Sequence, residues 1–343
     1  MSSTYGQKFT VSLFGQRDKA QYGVLIDGVV PGIALDTDGI ISRIDAYTDN
    51  AVQTRVVSGV RDGKTTGAPI SALFTDEGPV QDAPRSFVAR PGTADFGYFV
   101  HFRGADAEVP GEKNMPGLIF AGLVAKAILA RKDIEVHAHL RSVGEVEDTP
   151  FSELPMNAET FAAIGHGALP VYDKRKEVLM KLKLEKTKGM GDTVGGKVEC
   201  AVTGLPAGAG SPLMGGIDAR VASLLFTLPG VCGVSFGDPE ASSAYGSEQN
   251  DELFIDTLKG SPATRTNHCG GVLGGVTTGM PLLCTASLRP SPLIAIEQTT
   301  VDLKLKHSVA LPPLTADADA VVRAVLPVES ACAVAVLDTL LTK

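Results

Sequence analysis

Few residues in this chain have types and spacing that could do chemistry. Thr266-Asn267-His268-Cys269-Gly270-Gly271 runs on into Val272-Leu273-Gly274-Gly275-Val276-Thr277-Thr278-Gly279. Paired glycines carry no Cβ, so the backbone there can pass close to a planar or anionic ligand. The same glycines also make tight turns at strand ends, and spacing alone leaves both readings open. Gly191-Asp192-Thr193-Val194-Gly195-Gly196 is a second such loop. Gly233-Val234-Ser235-Phe236-Gly237, with Gly246 to Asp251 behind it, is a third. His137 and His139 share one face of an alternating segment and could hold a metal, although a solvated or packed face is the plainer reading. The cysteines are Cys200, Cys232, Cys269, Cys284 and Cys332. Their number is odd and no two are spaced C-x-x-C, so buried reduced thiols are expected, with no disulfide frame and no metal site.

These residues need elements to position them. Residues 10–14, 22–26 and 69–74 are β-rich and bounded by Gly or Pro, which predicts short strands. Residues 76–116 are polar and glycine-rich with little periodicity, which predicts either a disordered stretch or a long irregular loop lining a site. Residues 117–132 are apolar on most sides and predict a buried helix. Residues 134–143 alternate cleanly, with Ile134, Val136, Ala138 and Leu140 on one face and Glu135, His137, His139 and Arg141 on the other. Residues 173–188 predict a charged, solvated helix with seven Lys or Arg against two Glu and one Asp. Residues 218–228 and 327–341 predict helices, and 264–288 glycine-punctuated strands. No linker or composition break divides the chain, so a single domain over 1–343 is expected.

Composition narrows the classes. The chain has 343 residues, 44% of them hydrophobic and 20% charged, with 38 Gly, 21 Pro and no Trp. That is a globular composition with many turns and a core of Val, Leu, Ile and Ala. The formal net charge of −8 disfavours a nucleic-acid partner. No run of 18 apolar residues occurs, so no membrane span is expected. The first residues show no signal peptide, and a cytoplasmic protein is expected.

The ordered blocks of this chain resemble the chorismate synthase family nearly end to end. Phe14-Gly15, Gly23 to Gly28, Pro31-Gly32, Ser58-Gly59 and Gly63 to Ile70 match the family opening in order and spacing. Arg90-Pro91-Gly92 and Ala94-Asp95 follow, then Gly191 to Glu199, Gly204 to Gly208, Ala219-Arg220 and Leu228 to Gly230. Gly246 to Asp251, Asn267 to Gly279, Gln298 to Asp302 and Arg323-Ala324-Val325 complete the series. The resemblance implies an α+β fold, a β-α-β sandwich with central helices between antiparallel sheets. It implies a homotetramer and reduced FMN as cofactor. The implied reaction is 1,4-elimination of phosphate from the anionic substrate 5-enolpyruvylshikimate 3-phosphate to give chorismate, a carbon–oxygen lyase reaction of the shikimate pathway. By the same resemblance Asn267, His268, Gly274, Arg289, Ser291, Leu293 and Thr315 fall at cofactor-binding positions.

The departures fall on the chemistry. Asp18 stands where the family carries its general-acid histidine, and Thr93 stands where it carries the second. The family's late Arg-His-Asp is Thr315-Ala316-Asp317 here, so Asp317 alone survives at that block. A twin-arginine segment has no counterpart, because the stretch between Ile33 and Ser58 is too short to hold it. An arginine-rich block survives as Arg103-Gly104, with Lys113 standing in for its last arginine. Arg289-Pro290-Ser291-Pro292-Leu293 replaces a Lys-Pro-x-x-(Ser/Thr) flavin segment. Imidazole titrates near neutrality and threonine does not, so proton donation is expected to fail. Three readings follow: a working synthase with rearranged residues, a non-catalytic member assembling with an intact relative, and a scaffold for another ligand or reaction.

Overall fold

The computed structural model describes residues 3–15, 19–76, 87–104, 112–165, 169–257 and 260–342. Two five-stranded antiparallel sheets enclose a pair of apolar helices. The first sheet comprises β1 (Thr4–Tyr5), β2 (Thr10–Gly15), β3 (Gln21–Asp27), β4 (Val52–Ser58) and β5 (Ile70–Asp76). Its order is β1-β2-β3-β5-β4. Alternation turns Val11, Tyr22, Val24, Ile26, Ile70, Ala72 and Phe74 inward, as a period of two requires. The second sheet comprises β6 (Glu135–Val143), β7 (Val146–Glu147), β8 (Gly196–Thr203), β9 (Val231–Phe236) and β10 (Leu282–Leu288). Its order is β9-β10-β8-β6-β7.

Helix α1 (Thr37–Tyr47) packs outside the central pair. Asp36 caps it by accepting from the Gly39 N–H, and Ile40 and Ile44 form its buried stripe. The central helices are α2 (Met115–Ala130) and, closing the chain, α5 (Val325–Leu341). Between them in sequence lie α3 (Lys174–Gly189), capped by Asp173, and α4 (Ile217–Leu225). A stretch that takes in α5, 320–341, is long and apolar enough to cross a membrane, and 72% of its apolar window is buried inside the protein. A helix apolar all round belongs in an interior, which is where both central helices sit.

Glycine and serine set the distance between the central helices. A Cβ on Gly122 of α2 would stand 2.4 Å from the Ser330 Cα of α5. That contact is with backbone, so no rotamer change relieves it. Gly122→Val is expected to destabilise the fold by about 1–3 kcal/mol, the usual cost of overpacking, seen as a lower urea midpoint. Asp338 ties α5 to the first sheet. Its carboxylate accepts from the N–H groups of Gln7, Lys8 and Phe9 at 2.7–3.0 Å and from Arg220 Nη1 at 2.9 Å.

Two expectations need correction. Residues 76–116 are not wholly irregular, since a helix occupies Asp95–His101. Of the thiols expected to be buried, Cys232 is exposed and Cys269 half-buried. The face of β6 that begins at exposed Glu135 is packed at its centre. His139 is fully buried there, and Phe151 and Phe161 from the following segment cover it with a small second core. Asp18 lies outside the described residues.

Candidate active site

A cavity of about 380 Å³ opens at the end of the first sheet. Tyr22 and Asp76 line it from β3 and β5, Tyr47 and Thr48 from the end of α1, and Lys113, Pro116 and Arg323 from the approaches to the central helices. Lys113 Nζ lies 2.7 Å from Asp76 Oδ2 and 5.5 Å above the Tyr22 ring. It also donates to the Lys19 carbonyl at 2.5 Å. Burial first, and then the Asp76 carboxylate, raise the Tyr22 phenol well above its ordinary value. Tyr22 therefore stays protonated and serves as a neutral hydrogen-bond donor. Beside the cavity, the fully covered Asn114 Nδ2 has no partner among the described residues.

From Arg323 a chain of contacts leads to several of the expected site residues. Arg323 Nη2 donates to Asp317 Oδ1 at 2.5 Å. The Asp317 N–H donates to the Leu293 carbonyl at 3.0 Å. The 289–295 segment is clamped in turn by the Gly191 loop. Thr193 Oγ1 donates to the Ser291 carbonyl at 2.6 Å, and the Ala295 N–H to the Gly191 carbonyl at 2.7 Å. Pro292 rests against Gly92, where a Cβ would come within 2.9 Å. That contact brings in Thr93. So Thr93, Ser291, Leu293, Thr315 and Asp317 belong to one neighbourhood, with Arg289 exposed at its margin.

Within that neighbourhood Thr93 is occupied. Its hydroxyl donates to the Arg90 carbonyl at 2.8 Å and accepts from the Asp95 N–H at 3.3 Å. Arg90 Nε and Nη2 grip Asp95 at 2.8 and 2.9 Å. Burial would raise the Asp95 carboxyl, but these bonds outweigh it and bring it down to about 2. This cluster builds a turn and presents no acid.

Asn267, His268 and Gly274 lie elsewhere. Asn267 Nδ2 donates to the Pro281 carbonyl at 2.8 Å, just before β10, whereas Arg289 follows β10 directly. At 3.2–3.4 Å per residue the strand separates the two groups by about 20 Å. Asp251 holds the Asn267 loop. It accepts from Thr266 Oγ1 at 2.7 Å and from the His268 and Cys269 N–H groups at 2.8 and 3.0 Å. Burial opposes these bonds and loses, leaving its carboxyl at about 2. Most of the paired glycines are filled by the chain itself. A Cβ on Gly270 would meet Gly237 at 2.2 Å, and one on Gly275 would meet the Ser211 carbonyl at 2.5 Å. Gly274 alone of the pair at the turn, with φ +60°, faces open space. The strand-end reading of these glycines thus accounts for all but that one.

Two further clusters join residues that are remote in sequence. The His137 and His139 face holds no shared site. His137 stacks on Phe161 at 3.8 Å, while His139 is enclosed by Asp148 Oδ2 at 3.0 Å from Nδ1 and Glu199 Oε2 at 2.9 Å from Nε2. Cys200, Cys284 and Cys332 converge from three elements, their sulfurs all within 4.8 Å of one another. Among the described residues this is the one such group of potential metal ligands.

Two antiparallel sheets around paired apolar helices, with a polar cavity at a sheet end, define an α+β sandwich. The family profile described as chorismate synthase matches residues 9–341, and the chain belongs to that family. It is 33% identical over 318 residues to the chorismate synthase of Methanocella arvoryzae, covering 88% of this chain and 84% of that protein. It is 34% identical over 326 residues to that of Thermococcus gammatolerans, covering 89% and 88%. Among solved structures, one described as a crystal structure of chorismate synthase superposes with a TM-score of 0.78. At 20% identity it covers 98% of this chain and 93% of that one, which shows the shared fold.

Proposed function

We propose that this chain keeps the family's cavity for an anionic small molecule and has lost the proton donors of the family reaction. The observation that carries this reading is the side-chain inventory of the cavity: Tyr22, Tyr47, Thr48, Asp76, Lys113 and Arg323, with no imidazole among the described residues that line it. Lys113 and Arg323 supply the charge that a phosphate or carboxylate needs. Tyr22 is held protonated, Thr93 is tied to its own turn, and Asp317 is paired with Arg323. Threonine does not titrate and Tyr22 keeps its proton, so neither supplies the near-neutral acid that general acid catalysis at pH 7 requires.

The residues at the family's flavin positions do not form one FMN site within a single chain. Ser291, Leu293 and Thr315 gather at one end of β10 and Asn267 and Gly274 at the other, and the length of that strand keeps the two groups apart. An assembly of copies that brings unlike ends together would be needed, in line with the tetramer that the resemblance implies. An intact relative supplying one of those ends is the second reading, which the same separation fits equally.

The test is direct. The purified chain is mixed with reduced FMN and 5-enolpyruvylshikimate 3-phosphate, alone and with an intact family member. Chorismate formation by the chain alone is expected far below ordinary turnover. A rate of roughly 1 s⁻¹ or more would overturn this reading.

A further inference from the structure

We infer that Cys200, Cys284 and Cys332 form a trigonal site for a monovalent thiophilic cation of the copper(I) type. Cys200 and Cys284 are direct cross-strand partners on β8 and β10, and Cys332 meets them from the central helix α5. The Cys284 and Cys332 sulfurs are 3.6 Å apart, and all three lie within 4.8 Å of one another. For a metal–sulfur bond of about 2.3 Å, three sulfurs at the corners of a triangle stand about 4 Å apart, so the observed spacing needs little adjustment.

The chemistry of the donors selects the ion. Thiolates favour soft cations such as copper(I) and zinc. Zinc takes four ligands in closed sites, and no fourth His, Cys or carboxylate joins this group among the described residues. A three-coordinate ion is satisfied by the triangle alone. All three side chains are buried to within 1% of fully covered. The sulfurs that hold the ion do so as thiolates, each proton they lose leaving to solvent, and the bound cation offsets negative charge that the dry core would otherwise not accept. The remaining cysteines are an internal control, because Cys232 is exposed and Cys269 only half-buried.

The full chain, isolated without oxygen from copper-supplemented cells, is challenged with excess bathocuproine disulfonate, and bound metal is counted. About one copper per chain is expected to remain in the unaltered protein and in the Cys232→Ser/Cys269→Ser variant. Retention is expected to fall at least tenfold in Cys332→Ala and, separately, in Cys200→Ala. Cys332 is flanked by buried Ala331 and Ala333, so alanine suits that position, and circular dichroism verifies the fold of each variant. The retained copper is expected to show the long-lived orange emission of a shielded copper(I)–thiolate centre. No retained copper, zinc in its place, equal retention in Cys332→Ala, or loss in the Cys232/Cys269 variant would each overturn the assignment. None of these readouts depends on whether the chain makes chorismate.

Discussion

His139→Leu is expected to destabilise the protein by about 3–5 kcal/mol, the cost of removing one partner from a buried ion pair. The measurement is the urea midpoint at pH 6. His139, Asp148 and Glu199 are all buried, and each carboxylate is fixed by more than the imidazole. Asp148 also accepts from the N–H groups of Tyr172 and Asp173 at 2.7 and 2.9 Å, and Glu199 from that of Phe151 at 2.9 Å. Without the imidazolium, two carboxylates would face each other in a space that water does not reach. Burial alone would lower the His139 pKa, but the bonds to Asp148 and Glu199 outweigh it and raise it above 6.5. Burial alone would raise Asp148, but His139 and the backbone N–H groups lower it below 3.8. A raised histidine stabilises fully below its unfolded value and less as pH climbs through its folded one. A lowered aspartate stabilises fully above its unfolded value and less as pH falls through its folded one. The triad is therefore expected to contribute most between about pH 4 and 6.5. In His139→Leu, Asp148 loses the bond that lowers it and regains a proton more readily, so the gap from the unaltered protein should close on acidification. A gap that stays constant from pH 4 to 8 would show that His139 acts through packing alone.

This triad also marks how far local sequence carries. Alternation placed His139 on the polar face of a strand, and the strand is there. What covers that face is remote: Glu199 is 60 positions away and Phe161 arrives from a short helix. Periodicity reports which way a side chain points and is silent about what meets it. The cysteine triangle was hidden for the same reason, since its corners come from positions 200, 284 and 332 and no spacing rule links them. The buried helices at 115–130 and 325–341 were legible because apolar residues on every side admit one environment. Helix α1 was not, because Gly39, three β-branched isoleucines and two internal aspartates give it little intrinsic preference. Its cap and the packing of Ile40 and Ile44 decide it. The candidate site was legible as positions and not as a place. The blocks containing Thr93, Ser291, Thr315 and Asp317 do meet, whereas Asn267 and Arg289, close in sequence, are held apart by the strand between them.

Asp18→His combined with Thr93→His is expected to raise chorismate formation with reduced FMN at least 10²-fold over the unaltered chain. A positioned general acid or base is typically worth 10²–10⁴-fold, and these are the positions where the resemblance places the family's histidines. Thr93 contributes two hydrogen bonds to its turn, but the paired Arg90–Asp95 contact is independent of it and holds the backbone for the substitution. The gain should stop short of full family turnover, because the missing twin-arginine segment leaves the substrate's charge less well neutralised. The pH profile separates proton transfer from mere repair of the turn. Activity introduced by imidazole should titrate near the ordinary histidine value of about 6.5, whereas Thr93→Gln, a polar side chain that does not titrate, should give neither the gain nor the profile. An unchanged rate in the double variant would place the defect in the lost arginines, and a fast unaltered chain would show that other groups in the cavity carry the proton.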